Sequence, residues 1–270
     1  MMKNLYLLLL CVTLRGLSAP EAATAAEEPQ VVKEWQGFKM REFQVAGRNC
    51  RLVSPEKDLP GKPWIWRMEF FDAYPSVDIA LVKAGYYLAY MDVSGMWGGP
   101  QAMPLMDQFY DEMVTKEGLN KKTVPEGFSR GGLFALNWSV RHLDRIASIY
   151  LDAPACNFKS IGKGKVEPQM INELLQAYGM TAEEFRKSAA NPVENLKPLA
   201  DAHIPIVAVY GEADDVVVPA EHILFLEKLY KEMGGEILTI GKPGVGHHPH
   251  SLEDPKPVVD FILAHPQGKL

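Results

Sequence analysis

The chain has 270 residues, 47% of them hydrophobic and 23% charged, which suits a globular protein with a sizeable core and excludes a disordered or fibrous one. Its 28 basic and 34 acidic side chains give a net charge of -6, and no basic cluster stands out, so no nucleic-acid partner is expected. Three cysteines are too few for a disulfide scaffold.

Lys3, the apolar run 5–12 and Ala23-Thr24-Ala25 have the layout of a cleaved signal peptide over 1–25, which predicts a secreted or periplasmic protein. The run is too short to span a bilayer and Arg15 interrupts its continuation, so no stable membrane insertion is expected. Cleavage would remove Lys3, Arg15 and Glu21, leaving a charge of about -7 on about 245 residues, which suits one large α/β domain over 26–270 as well as two small ones, and the single domain is the expectation. Cys11 leaves with the leader. Cys50 and Cys156 remain, and two buried free thiols are expected, although pairing depends on a distance that the sequence does not state.

The mature chain then alternates strand and helix patterns. Strands are predicted at 38–45 and 50–54, joined by Ala46-Gly47 as an antiparallel opening, and at 64–68 after Pro60-Gly61-Lys62-Pro63. A helix follows at 77–84, closed by Gly85, then a strand at 86–93 and a helix at about 103–116. Later strands fall at 146–151, 204–210 and 236–240, with helices at 221–233 and 255–263. Counting the strand before Gly127, this makes about eight strands in a mostly parallel sheet with helices on both faces. No strand pattern occurs between 153 and 203. Two short helices at 168–178 and 181–188, after the Gly162-Lys163-Gly164-Lys165 stretch, predict a small helical cap inserted at about 153–203 over a pocket, with an ordinary crossover carrying surface helices as the alternative.

Gly127-Phe128-Ser129-Arg130-Gly131 matches G-x-S-x-G, between a short apolar strand and a helical pattern with Leu133, Leu136 and Val140. A turn this sharp needs neighbours without bulk and leaves Ser129 over the start of the helix, whose free N–H groups and positive dipole end favour an oxyanion. A serine hydroxyl needs a base, and the base needs an orienting group. The base is expected in the Gly244–His250 loop, with His247 first and His248 as a contender, and His250 beside them in a supporting place. The acid is expected after an apolar strand in Gly211–Pro219, as Asp214, with Asp215 and Asp152 as alternatives. Ser, then Asp, then His is the chain order of an α/β-hydrolase triad. His247, His248 and His250 show no helix spacing and no distant ligand, so no metal and no cofactor are expected.

Over 38–263 the chain resembles the α/β-hydrolase superfamily, through Gly127–Gly131, Gly211–Pro219 and Gly246-His247. Pro63–Arg67, Gly127–Gly132 and Gly244–Leu252 resemble exported bacterial hydrolases related to carbohydrate esterases. The Ser-Arg pair is similar to that of glucuronoyl esterases, where the arginine helps bind the oxyanion, which implies such a role for Arg130. A salt bridge holding the elbow is the alternative for its side chain. The chain departs from the family where many esterases carry His-Gly-Gly, because Trp66-Arg67-Met68-Glu69 stands there. The oxyanion donors expected are the Arg130 N–H and that of Arg67 or Met68. Trp66 and Trp97, near strand ends, are candidate sugar-binding surfaces, with core packing the alternative.

The function expected is serine hydrolysis of a carboxylic ester through an acyl-enzyme, on small-molecule or oligosaccharide esters: acetylated sugars or methyl-esterified uronic acids. The alternatives are a prolyl-oligopeptidase-like serine peptidase and a non-catalytic binding protein on the same fold.

Overall fold

The computed structural model describes residues 31–160 and 162–267, so the predicted leader lies outside the described residues. The strands are β1 (Val31–Trp35), β2 (Phe38–Val45), β3 (Arg48–Val53), β4 (Trp64–Arg67), β5 (Tyr87–Met91), β6 (Val124–Phe128), β7 (Ile149–Asp152), β8 (Ile206–Gly211) and β9 (Ile237–Lys242). They form one 9-stranded sheet in the order β1-β2-β3-β5-β4-β6-β7-β8-β9. The first three strands and β5 pair antiparallel, and everything from β5 to β9 is parallel. The strand beyond the expected eight is β1, Val-Val-Lys-Glu-Trp, in which only Trp35 is buried. An edge strand with one buried side chain carries no alternation for a sequence reading to find.

Alternating side chains divide the core between two faces of the sheet. Trp64 and Trp66 of β4 pack with α2 (Ala102–Thr115), α3 (Gly131–Ser139) and α7 (Ile223–Glu232). Ile65 between them packs on the other face with α1 (Ser76–Lys83) and α8 (Lys256–Ala264). Successive parallel strands therefore end at one rim, and the loops after β6, β7, β8 and β9 meet there.

Between β7 and β8 lie α4 (Pro168–Tyr178), α5 (Ala182–Lys187) and α6 (Lys197–Asp201). Pro168 opens α4 and Gly179, at φ 63°, closes it in the left-handed conformation. Thr181 caps α5 reciprocally with Glu184. The five-residue α6 was not expected, since one turn shows no periodicity. Phe158 stacks on Phe185 with ring centroids 3.8 Å apart, and both join Tyr178, Trp97 and Leu133 in one apolar cluster. That cluster fastens the helical segment to the start of α3. Among the described residues no helix is long and apolar enough to cross a membrane.

Candidate active site

Ser129 sits between β6 and α3 at φ 49°, a left-handed conformation uncommon for a serine. Its own backbone is held on both sides: the N–H donates to Asp152 O at 2.8 Å and the carbonyl accepts from Ala155 N at 2.8 Å. The two glycines that must lack a side chain are Gly127 and Gly132. A Cβ on Gly127 would lie 2.6 Å from Gly131 O, and one on Gly132 2.6 Å from Pro154 Cβ. Gly131, by contrast, would meet only Glu69 Cβ at 3.7 Å, ordinary contact.

The loops after β8 and β9 bring two further groups to this turn. His247 Nε2 lies 3.0 Å from Ser129 Oγ, and His247 Nδ1 lies 2.7 Å from Asp214 Oδ2. The carboxylate can only accept, so Nδ1 carries the proton and Nε2 is free to accept the serine's. Asp214 Oδ1 accepts from the N–H groups of Val216 and Val217, both at 2.9 Å. Burial pushes the Asp214 carboxyl up, but His247 and those two amides outweigh it, and its pKa ends below the usual carboxylate range.

The other candidates are occupied elsewhere. Asp215 is exposed and bonds Lys165 Nζ at 2.6 Å. Asp152 accepts from His250 Nδ1 and from Ser251 N, each at 2.7 Å. His248 is exposed and stacks on Tyr74, ring centroids 6.0 Å apart. Cys50 and Cys156 are free and buried, with both thiol pKa values raised by burial.

Beside Ser129 a cavity of about 100 Å³ opens under the helical segment. Its wall is apolar: Leu133, Phe158, Met170, Leu174 and Val217, with Trp97 next to Arg130. Met170, Ile171 and Leu174 share one face of α4, a pattern of one helical face that could have been read as an inward-looking roof. Ser160 and His222, also in the wall, form a second Ser–His pair at 2.6 Å. It is not an activated serine. His222 Nδ1 accepts from Cys156 N at 3.1 Å, so Nε2 holds the proton and donates it to Ser160, whose own hydrogen goes to Asn157 O at 2.7 Å. Burial pushes the His222 pKa down to about 4. Unfolded histidine binds its proton near pH 6.5, so this group favours the fold above that pH, and the contribution, about 3 kcal/mol in full, is lost as pH falls from about 6.5 to about 4. Thermal unfolding of wild type against His222→Gln should converge over that acid range, and parallel curves would refute the assignment.

No protein-family model matches the sequence, and no curated protein sequence does either. Solved structures match extensively. An acylaminoacyl peptidase of Pyrococcus horikoshii aligns at TM-score 0.68 and 13% identity, over 86% of this chain and 42% of that one. Est1E of Butyrivibrio proteoclasticus aligns at 0.59 and 18%, over 88% of this chain and 99% of its own. A puromycin-hydrolysing peptidase of Mycobacterium tuberculosis aligns at 0.64 and 13%, over 83% and 38%. The chain thus spans about two fifths of the length of these peptidases and nearly all of Est1E. The chain has the α/β-hydrolase fold.

Three expectations for this α/β-hydrolase fold need correcting. Trp66 is not at the site: it is 1% exposed, 4.8 Å from the Trp138 ring and 5.2 Å from Phe109, because even positions of β4 face α2 and α3. Nor are the Arg67 and Met68 amides free as oxyanion donors. Arg67 lies in β4 between two paired strands, and Met68 N–H donates to Glu126 O at 3.0 Å. The Arg67 side chain instead lies wholly buried over the Phe128 ring, bonded to Asp78 at 2.8 Å and Glu126 at 2.7 Å. It also donates to the carbonyls of Glu69, Phe70 and Ala73, so it shapes the loop after β4. Burial drives the Glu126 pKa well up, Arg67 opposing and Asp78 adding to the rise. Arg67→Met would strand both carboxyls and release three carbonyls. It should cost about 3 kcal/mol or more, read as a lower urea midpoint at unchanged slope.

Arg130 makes the elbow salt bridge, with Nε 2.7 Å and Nη2 2.6 Å from Oε1 of buried Glu69. Its guanidinium lies 4.9 Å from the ring centroids of both Phe70 and Trp97. Glu69 was missed by the sequence reading, since nothing marks a lone glutamate as the partner of an arginine 61 positions on. Trp97 is 5% exposed in the cavity wall, and its indole N–H has no partner among the described residues.

Proposed function

We propose that the chain is a serine hydrolase that cleaves carboxylic esters by acyl transfer. The observation that carries this reading is the continuous contact from Asp214 through His247 to Ser129, at 2.7 and 3.0 Å, opening on the apolar cavity. Ser129 Oγ attacks the ester carbonyl while His247 Nε2 takes its proton; the imidazolium, steadied by Asp214, then protonates the departing alcohol. Water repeats the sequence on the acyl-enzyme.

For the oxyanion we assign the Arg130 N–H, at the first turn of α3 where amides lack helical partners, and that of Phe70. A trans peptide points its N–H opposite its carbonyl, so Arg67's hold on the Glu69 carbonyl turns the Phe70 N–H away from Arg67.

The apolar wall supports an acyl group with a hydrocarbon body rather than acetate. It gives no support to a uronate as the acyl part, since Arg130 is already engaged by Glu69. A sugar as the alcohol rests on the sequence resemblance. A fluorophosphonate should label Ser129, and p-nitrophenyl hexanoate should exceed the acetate in kcat/KM by about tenfold or more. Absence of labelling would sink the hydrolase reading, and an acetate preference would sink the acyl assignment. A peptidase is the second reading, because structural neighbours bear that name; aminoacyl anilides turned over faster than aryl esters would favour it.

A further inference from the structure

We propose that His247, His248 and His250 form a binding site for an imidazole-seeking divalent transition metal such as zinc, and that its occupation shuts off the reaction at Ser129. The three rings make a near-equilateral triangle, with centroids 4.8, 5.0 and 4.9 Å apart. One ligand nitrogen from each lies within 4.8 Å of the others. In a tetrahedral zinc site such nitrogens stand about 3.4 Å apart, so a side as long as 4.8 Å must shorten by about 1.4 Å. His248 is the freest of the three to move, being exposed and resting on the face of Tyr74, and the His247–His250 side closes by tilting of those rings about their carboxylate bonds.

A second observation points the same way. Metal-binding histidines characteristically hand their remaining N–H to a carboxylate, which fixes the tautomer and strengthens the donor nitrogen. Two of these three already do so: His247 Nδ1 on Asp214 and His250 Nδ1 on Asp152, each at 2.7 Å to a buried oxygen. In both, Nε2 is the nitrogen left to offer a cation. A catalytic histidine alone would need one such pair, and the second serves no step of the proposed reaction. Three neutral imidazoles select zinc, nickel or copper and reject magnesium and calcium, which require oxygen ligands.

The consequence for activity rests on the hydrolase reading. His247 Nε2 is also the atom that takes the Ser129 proton. A metal on it removes the base, so cation and reaction compete for one lone pair.

The test uses untagged protein and zinc chloride. Calorimetry on Ser129→Ala should show one zinc per chain, with no signal from magnesium or calcium. His248→Gln and His250→Gln, introduced into that background, should each weaken binding by about tenfold or more. Exposed His248 supplies the variant whose folding is not at risk. In the wild type, zinc should suppress aryl-ester hydrolysis and a chelator should restore it, each protein being normalised to its own metal-free rate. No saturable binding below about 1 mM, or equal affinity after His248→Gln, would overturn the site. Binding without any metal-free hydrolysis would spare the site and count against the hydrolase reading alone.

Discussion

Ser129→Ala should lower kcat for an aryl ester by about 10^6-fold with KM changed only severalfold. The methylene remains, so the turn at φ 49° and the backbone bonds to Asp152 and Ala155 have no reason to alter. What disappears is the hydroxyl that lies 3.0 Å from His247 Nε2. Residual turnover would come from His247 acting on water, a slower route. A variant retaining a tenth of the wild-type rate would show that the nucleophile lies elsewhere, and stopped-flow with an aryl ester would also reveal whether an acyl burst persists.

The second large effect separates two neighbouring aspartates. Asp214→Asn should cost about 10^4 in kcat, because an amide facing Nδ1 donates where the carboxylate accepted, and the imidazole then carries its proton on Nε2. Ser129 would meet a donor instead of a base. Asp215→Asn should stay within a few fold, since that side chain is exposed and bonds Lys165 rather than His247. Asp152→Asn should reduce stability through His250 and Ser251 and leave the tautomer of His247 unchanged. Equal losses at 214 and 215 in kcat would contradict the orientation described for the site.

Most of the sheet was legible because buried parallel strands are continuous apolar runs and their crossovers are helix-length. Legibility ended where local pattern ends. β1 hides because a strand with one buried side chain looks like a loop. Ser129, His247 and Asp214 could be picked out by their glycine-rich settings and chain order, whereas His247 over His248 depends on which way a loop turns, a matter of tertiary packing. Trp66 was misplaced because an alternating strand aims successive side chains at opposite faces with a phase set by neighbours distant in sequence, and Arg67 because those same distant strands pair on both sides of its backbone. Arg67 was expected to lend an amide and instead lends a guanidinium beneath the loop.

Lys165 grips Asp215 twice, through its amide to the carbonyl at 2.7 Å and its ammonium to the carboxylate at 2.6 Å, while Lys163 holds Glu221 at 2.7 Å. The roof of the cavity is thereby tied to the residue immediately after the one that orients the imidazole. A guest that displaced the 163–166 stretch would therefore act on the backbone beside Asp214 as well as on the cavity wall.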